Sequence, residues 1–158
     1  MHRSGVTGRI FVLVAAGLWA GACEDTSYRD IGAEIGLLTK RDDALVPPSV
    51  QRLASYGRRA LPQIETAMHT ASPVGKLHLL AVLELTHDVE AVPIFRHFAL
   101  YDPSADIRAT CERVLNTWSA ESDRHAEHAR AALTYVREKR AQGIGPVVIG
   151  EIVPGAGQ

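Results

Sequence analysis

The stretch AVPIFRHFALYDPSADIRATCERVLNTW, residues 91–118, decides the fold that the sequence predicts. Its first part is an apolar run with Pro93 near the start, and its second part places apolar side chains three and four residues apart. This spacing puts those side chains on one side of an α-helix. The stripe comprises Ile107, Cys111, Val114, Leu115 and Trp118. The stretch therefore predicts two consecutive helices, of which the second buries one face.

A related pattern precedes this stretch by one unit of similar length. ALPQIETAM aligns with AVPIFRHFA, so that Pro62 and Pro93 occupy equivalent positions. In the helices that follow, Lys76 aligns with Arg108 at nearly the same offset. An internal period of about 31 residues indicates helical hairpins stacked in a row rather than one closed core.

Capping residues and prolines predict where the helices begin. Ser72 and Asp102 each precede a proline, and such side chains accept hydrogen bonds from the free N–H groups of a first helical turn. Pro62 and Pro93 also require early positions, because a proline inside a helix costs about 3 kcal/mol. The predicted helices lie near residues 28–41, 48–56, 59–70, 73–86, 89–101, 104–118 and 120–141. The fourth helix is apolar nearly all round over residues 77–83, which predicts a central place in the core.

These residues resemble the HEAT-like repeat family. Its units commonly begin with Ala-hydrophobic-Pro in the first helix and carry hydrophobic-Arg-x-x-Ala in the second. The segments AVP (91–93) and IRATC (107–111) match this pattern, as does ALP (60–62), whereas GKLHL (75–79) matches in part. The resemblance covers about residues 57–118. It implies a short α-solenoid, a fold that usually binds other proteins. Some family members are lyases or isomerases, so the fold alone leaves catalysis open.

The first 23 residues of the chain indicate where in the cell the protein is located. Arg3 and Arg9 precede thirteen uncharged residues, 10–22, which is too short for a membrane span of about 20 residues and is typical of a signal peptide. Ala20, Gly21 and Ala22 then lead to Cys23, which resembles the lipobox of bacterial lipoproteins although alanine stands in the usual leucine position. The resemblance implies cleavage before Cys23 and a lipid on its sulfur. An ordinary signal peptide, or a cytosolic hydrophobic start, is the alternative.

The predicted organisation has four parts, which are a signal peptide at 1–22, a tether at 23–27, a helical repeat domain at 28–142 and a flexible tail at 143–158. Glycine and proline interrupt the tail repeatedly, yet it also contains apolar β-branched residues, which favour strands. This segment has three interpretations. It is a disordered end, it docks on the helical domain, or it pairs with the sheet edge of a partner.

Residues with the potential for chemistry are few. His125 and His128 lie three apart on one helix, with Glu121 one turn earlier. They are candidate metal ligands if a third ligand comes from elsewhere. Cys111 lies on the apolar stripe and is expected to be a small buried hydrophobic residue rather than a nucleophile. The sequence contains no phosphate loop, paired-cysteine metal motif or serine-nucleophile elbow. The sequence therefore predicts a protein without a set of catalytic residues and without a cofactor.

The function expected from these features is that of a membrane-anchored, non-enzymatic scaffold that binds another protein of the bacterial envelope. The formal net charge of −1 gives no electrostatic basis for binding nucleic acid. Glu65 and Arg96 stand at equivalent positions of the two aligned units, which makes them candidates for a protein-binding face. The alternative is a metal- or cofactor-handling protein, including a lyase-like enzyme.

Overall fold

The computed structural model of the chain describes residues 26–40, 46–122 and 124–146, and this part of the chain is helical without any strand. The predicted all-α class is therefore confirmed. The α-helices are α1 (Thr26–Thr39), α2 (Val46–Ser55), α3 (Leu61–Met68), α4 (Pro73–Thr86), α5 (Val92–Tyr101), α6 (Ala105–Ser119) and α7 (Arg124–Ala141).

Helices α3 and α5 begin in the same way, as their shared proline pattern predicts. Each follows a short 3₁₀ turn, Gly57–Ala60 or Val89–Ala91, and each carries its proline at the second position. The N–H groups of Leu61 and Val92 bond to carbonyls three residues earlier. A proline has no N–H to donate, so this early position costs the helix no hydrogen bond.

Neighbouring helices pack side by side. Helix α4 lies against α2 on one side and α6 on the other, and it also contacts α1 and α3. Helix α5 packs against α6 and α7, and α6 packs against α7. The central place predicted for α4 is therefore confirmed.

The apolar stripe of α6 faces the core along its whole length. Its members are 0 to 2% exposed, and full burial of a large apolar side chain contributes about 1.5–3 kcal/mol. Leu80 of α4 is 1% exposed, and Val114 of α6 is fully buried. The ring of Phe95 meets that of Trp118 edge to face at 5.2 Å between centroids, so aromatic packing also joins α5 to α6.

The predicted start of α4 at Pro73 is confirmed, and the other helix starts shift by one to four residues. Two of these shifts change a predicted role. Helix α1 begins at Thr26, within the segment predicted as a tether, since no proline or glycine separates Thr26 from the helix. Helix α6 begins at Ala105, with Ser104 as its N-cap, so Asp102 does not cap it. Asp102 ends α5 instead, and its Oδ1 accepts a hydrogen bond of 2.8 Å from the N–H of Ser104.

The HEAT-like resemblance implies that Arg108 bridges to Asp102 or Asp106. Arg108 does contact Asp102, but through its backbone and not through its carboxylate. In the structure, the guanidinium donates to the backbone carbonyls of Asp102 and Pro103 at 2.8 and 2.9 Å. The carboxylate of Asp102 instead meets Lys76 Nζ at 2.6 Å. The role of Arg108 is therefore to hold the turn between α5 and α6.

Several predicted features lie outside the described residues. These are the proposed signal peptide, Cys23 and the tail from residue 147 onward. Among the helices that the structure describes, none combines the length and apolar character that a membrane crossing requires.

Candidate functional site

Three potential metal ligands converge where helices α4, α6 and α7 meet. They are His87, Glu121 and His125, each of which is half-buried and offers one ligand atom. All three of these atoms lie within 4.8 Å of one another. We call this group the His87 cluster.

The backbone at the end of α4 directs His87 into the cluster. His87 is the C-cap residue and has a φ of 50°, and its N–H donates to the carbonyl of Leu83 at 3.3 Å. This left-handed conformation is uncommon outside glycine, although histidine adopts it more readily than most residues. It turns the imidazole toward Trp118, whose ring centroid lies 4.9 Å away.

Glu121 lies in the turn that follows α6. Its N–H donates to the carbonyl of Trp118 at 3.1 Å, which fixes the turn. Its Oε2 is 3.1 Å from Nε2 of His87, within ion-pair distance. This oxygen is buried and has no hydrogen-bond partner of acceptable geometry among the described residues, so its approach to His87 is an electrostatic contact and not a hydrogen bond.

His125 is the second residue of α7. Its ring lies 4.4 Å from that of His87 and 5.8 Å from that of Trp118, centroid to centroid. The indole of Trp118, which is 2% exposed, thus forms an apolar wall beside both imidazoles. Two imidazoles and one carboxylate are ligands that zinc and neighbouring transition metals accept, with a further position left for water.

The sequence predicts part of this cluster. It names His125 and His128 as candidate ligands, with Glu121 one turn earlier, and leaves a third ligand to come from elsewhere. The structure brings His125 and Glu121 together and adds His87 from the end of α4. His128, the other histidine of the sequence pair, is exposed and lies outside the group. From the sequence, only a surface or hairpin-end role is predicted for His87. The one feature that could have indicated a site role is its position directly after an apolar helix.

A second group of histidines has a different environment. His69 and His97 meet edge to face at 5.6 Å, and His97 also contacts the rings of Phe98 and Tyr101. Burial and the nearby His69 lower the pKa of His97. Burial therefore favours the neutral form of His97, whose ring belongs to an aromatic group.

Cys111 has the structural role that the sequence predicts. It is fully buried within the stripe of α6, and burial, assisted by Asp102, raises the pKa of its thiol to about 12. The thiolate is the nucleophilic form of cysteine, so this thiol is unreactive near neutral pH in the folded protein.

A stripe of exposed apolar side chains runs along α4. Leu77, Ala81 and Leu85 are four residues apart and share one side of the helix. The exposed fractions of Leu77 and Leu85 are 37% and 56%. We call these residues the α4 stripe.

Beside the α4 stripe, an ion pair joins α4 to the outer face of α6. Arg113 donates to both carboxylate oxygens of Glu84 at 2.8 and 2.9 Å, and this hydrogen bonding lowers the pKa of Glu84. The face of α6 borders an open groove of about 730 Å³, which residues 143–146 also line. The groove includes Arg108, Arg113 and Arg140 but only one acid, Glu112.

Glu65 and Arg96 are both exposed, on α3 and α5 respectively. Glu65 lines a small cleft with Arg58 and Pro93. The guanidinium of Arg96 lies over the ring of Tyr135 on α7, 4.9 Å from its centroid. The two candidate residues therefore have different neighbours.

No family model matches the chain. No curated protein and no solved structure matches it either. Its function is therefore inferred from the geometry of its own residues.

Proposed function

We propose that this protein is a lipoprotein of the bacterial envelope that holds another envelope protein on a short α-solenoid and catalyses no reaction. The observation that carries the proposal is the α4 stripe, where leucine side chains stay exposed on the central helix of the fold. A contiguous exposed apolar patch marks a surface that another protein covers, whereas single exposed apolar residues do not, and the members of the α4 stripe lie next to one another on one side of the helix.

The packing of the helices supports a solenoid of HEAT-like type. Helices α2, α4 and α6 form one row, since α4 contacts both of the others. Three ion pairs join side chains that are 28 to 30 residues apart, close to the repeat length, and so connect successive hairpins: Arg58–Asp88, Glu84–Arg113 and Glu112–Arg140. A stack of this kind presents neighbouring helices as one extended face.

The partner that fits this face is an amphipathic helix with one apolar side and acidic flanks. Leu77, Ala81 and Leu85 span two helical turns, which suits the i, i+4 anchors of a helix laid alongside. In the groove next to them, Arg113 and Arg140 are each paired with a glutamate, whereas Arg108 has no carboxylate partner among the described residues. This remaining positive charge favours an acidic segment. Glu65 and Arg96 on α3 and α5 define the competing face.

Site-specific photo-crosslinking tests both faces in the cell. With benzoylphenylalanine in place of Leu85, we expect one discrete adduct in the membrane fraction that mass spectrometry identifies as a single protein. Adding Leu77→Glu should reduce this adduct at least about tenfold, because a carboxylate buried against an apolar partner loses its hydration. His128→Ala should leave it unchanged.

The same probe at Glu65 is the matched control for the second face. An adduct at position 65, removed by Arg96→Glu and absent at position 85, would move the binding surface to α3 and α5. If neither position yields an adduct above the level of an unrelated exposed residue such as Arg137, the scaffold proposal fails.

The anchor is tested by its covalent chemistry. We expect the membrane fraction to contain an acylated N-terminal peptide that begins at Cys23, detected by mass spectrometry. Each buried methylene contributes about 0.8 kcal/mol, so two or three acyl chains hold a protein firmly at a membrane. Cys23→Ser should move the protein out of the membrane fraction.

Cys111→Ser is the control for this anchor, since it changes the same residue type at a buried site. That variant should stay with the membrane. Unmodified Met1, or an unlipidated Cys23, as the dominant terminus would contradict the anchor and leave the proposed binding face unaffected.

A further inference from the structure

We propose that His87, Glu121 and His125 bind a divalent transition metal ion of the zinc class. The proposal concerns the end of the fold where α4, α6 and α7 meet, and it does not depend on the protein-binding function proposed above. It rests on the donor atoms, their distances and the buried oxygen of Glu121.

The donor set suits the ion. Zinc binds imidazole nitrogens and carboxylate oxygens, and three protein ligands with one water form a common open site. Harder ions such as magnesium and calcium prefer a shell made of oxygens, which His87 and His125 do not supply. The same two-histidine, one-carboxylate set also suits neighbouring first-row metals.

The distances are close to what coordination requires. Two donors on a tetrahedral zinc ion, with bonds of about 2.0–2.2 Å, lie about 3.4 Å apart. His87 Nε2 and Glu121 Oε2 are already 3.1 Å apart. All three donor atoms lie within 4.8 Å of one another, so small side-chain rotations complete the site. The exposed fractions of His87 and Glu121, 39% and 33%, leave a path for the ion and its water.

The second, independent observation is the oxygen of Glu121. Oε2 is buried without a hydrogen-bond partner among the described residues, and a carboxylate oxygen in that condition is costly. A cation coordinated by this oxygen would remove the cost. The fixed turn at Glu121 and the left-handed turn at His87 come from different hairpins, yet both direct a donor to one point.

A metal at this point would connect the last helix to the rest of the fold. His125 belongs to α7, while His87 ends α4. Bound metal would therefore oppose separation of α7 from the preceding helices, because binding to the folded state alone stabilises that state. Trp118 reports on the event, since its indole contacts both imidazoles.

The test uses the full chain, purified in detergent without a histidine tag. The sequence has two tryptophans, and Trp19 lies in the proposed signal peptide. A Trp19→Phe background therefore leaves Trp118 as the only indole even where that peptide is retained. Titration calorimetry with Zn²⁺ should show one ion per chain, Co²⁺ should quench the fluorescence of Trp118, and Zn²⁺ should raise the thermal midpoint. Mg²⁺ is the negative control ion.

The variants separate this cluster from ordinary surface histidines. His87→Ala should weaken zinc binding at least about tenfold, since losing even a group that orients a ligand costs about 10- to 100-fold. Glu121→Gln keeps the shape of the side chain and should weaken binding in the same way, which decides the matter if His87→Ala does not fold. His128→Ala, one helical turn from His125, should bind like the parent.

Two results would overturn the proposal. One is the absence of stoichiometric zinc binding by the parent chain. The other is a loss of binding in His128→Ala as large as that in Glu121→Gln, which would indicate adventitious binding by exposed histidines.

Discussion

Replacing Asp102 by alanine is expected to destabilise the fold by about 3–5 kcal/mol, because it leaves the ammonium of Lys76 without its partner in a largely buried place. The side chains of Lys76 and Asp102 are 12% and 1% exposed, and their charged atoms are 2.6 Å apart. The change also removes the acceptor for the N–H of Ser104. Urea denaturation followed by circular dichroism measures the loss.

Asp106→Ala is the control for this loss. Asp106 is an exposed acid in the first turn of α6, so its removal should cost no more than about 1 kcal/mol of helix-dipole interaction. The double variant Lys76→Met with Asp102→Ala should lose less stability than the two single variants added together. It removes both charges of the pair, so no buried charge remains without its partner. Additive losses, or equal losses for Asp102→Ala and Asp106→Ala, would contradict a coupled buried pair.

The helices themselves could be predicted because their signals are local. The proline positions of α3 and α5, the cap at Ser72 and the stripe of α6 all follow from residues within a few positions of one another. The structure confirms each of them, including the side-chain oxygen of Ser72, which accepts from the N–H of Gly75 at 3.2 Å. The start of a helix and its buried face can therefore be predicted from nearby residues.

The contacts between hairpins could not be predicted in the same way. The sequence predicts Asp102 as a helix cap, but its carboxylate pairs with Lys76, which is 26 residues away. His87 joins Glu121 and His125 because the end of α4 turns left-handed and α6, which packs against α7, also packs against α4. A spacing of three residues suggests His128 instead of His87, since periodicity describes one helix and says nothing about its neighbours.

Partial exposure of an apolar helix is also hidden from the sequence. Residues 77–83 are apolar nearly all round except at His78, which predicts neighbours on several sides of the helix but not which side stays open. The structure buries Leu79, Leu80, Val82 and Leu83 but leaves Leu77 and Ala81 exposed. The positions of the helices packed against α4, which are α1, α2, α3 and α6, decide which side of it is covered.

Replacing Leu80 by alanine tests that assignment, with an expected loss of about 2–5 kcal/mol. Leu80 is 1% exposed in a helix that packs against α1, α2, α3 and α6, so the neighbouring helices have little freedom to fill the space. The lost methylene groups and the cavity left behind both contribute to the loss. The measurement is again the free energy of unfolding in urea.

Leu85→Ala on the same helix is the matched control. Leu85 is 56% exposed, and alanine is at least as good a helix former as leucine, so this variant should unfold within about 0.5 kcal/mol of the parent. The same pair of substitutions separates the two roles of α4, since Leu80 supports the fold and Leu85 faces the proposed partner. If the two variants unfold at the same urea concentration, the buried and exposed sides of α4 are wrongly assigned, and the α4 stripe loses its basis as a binding surface.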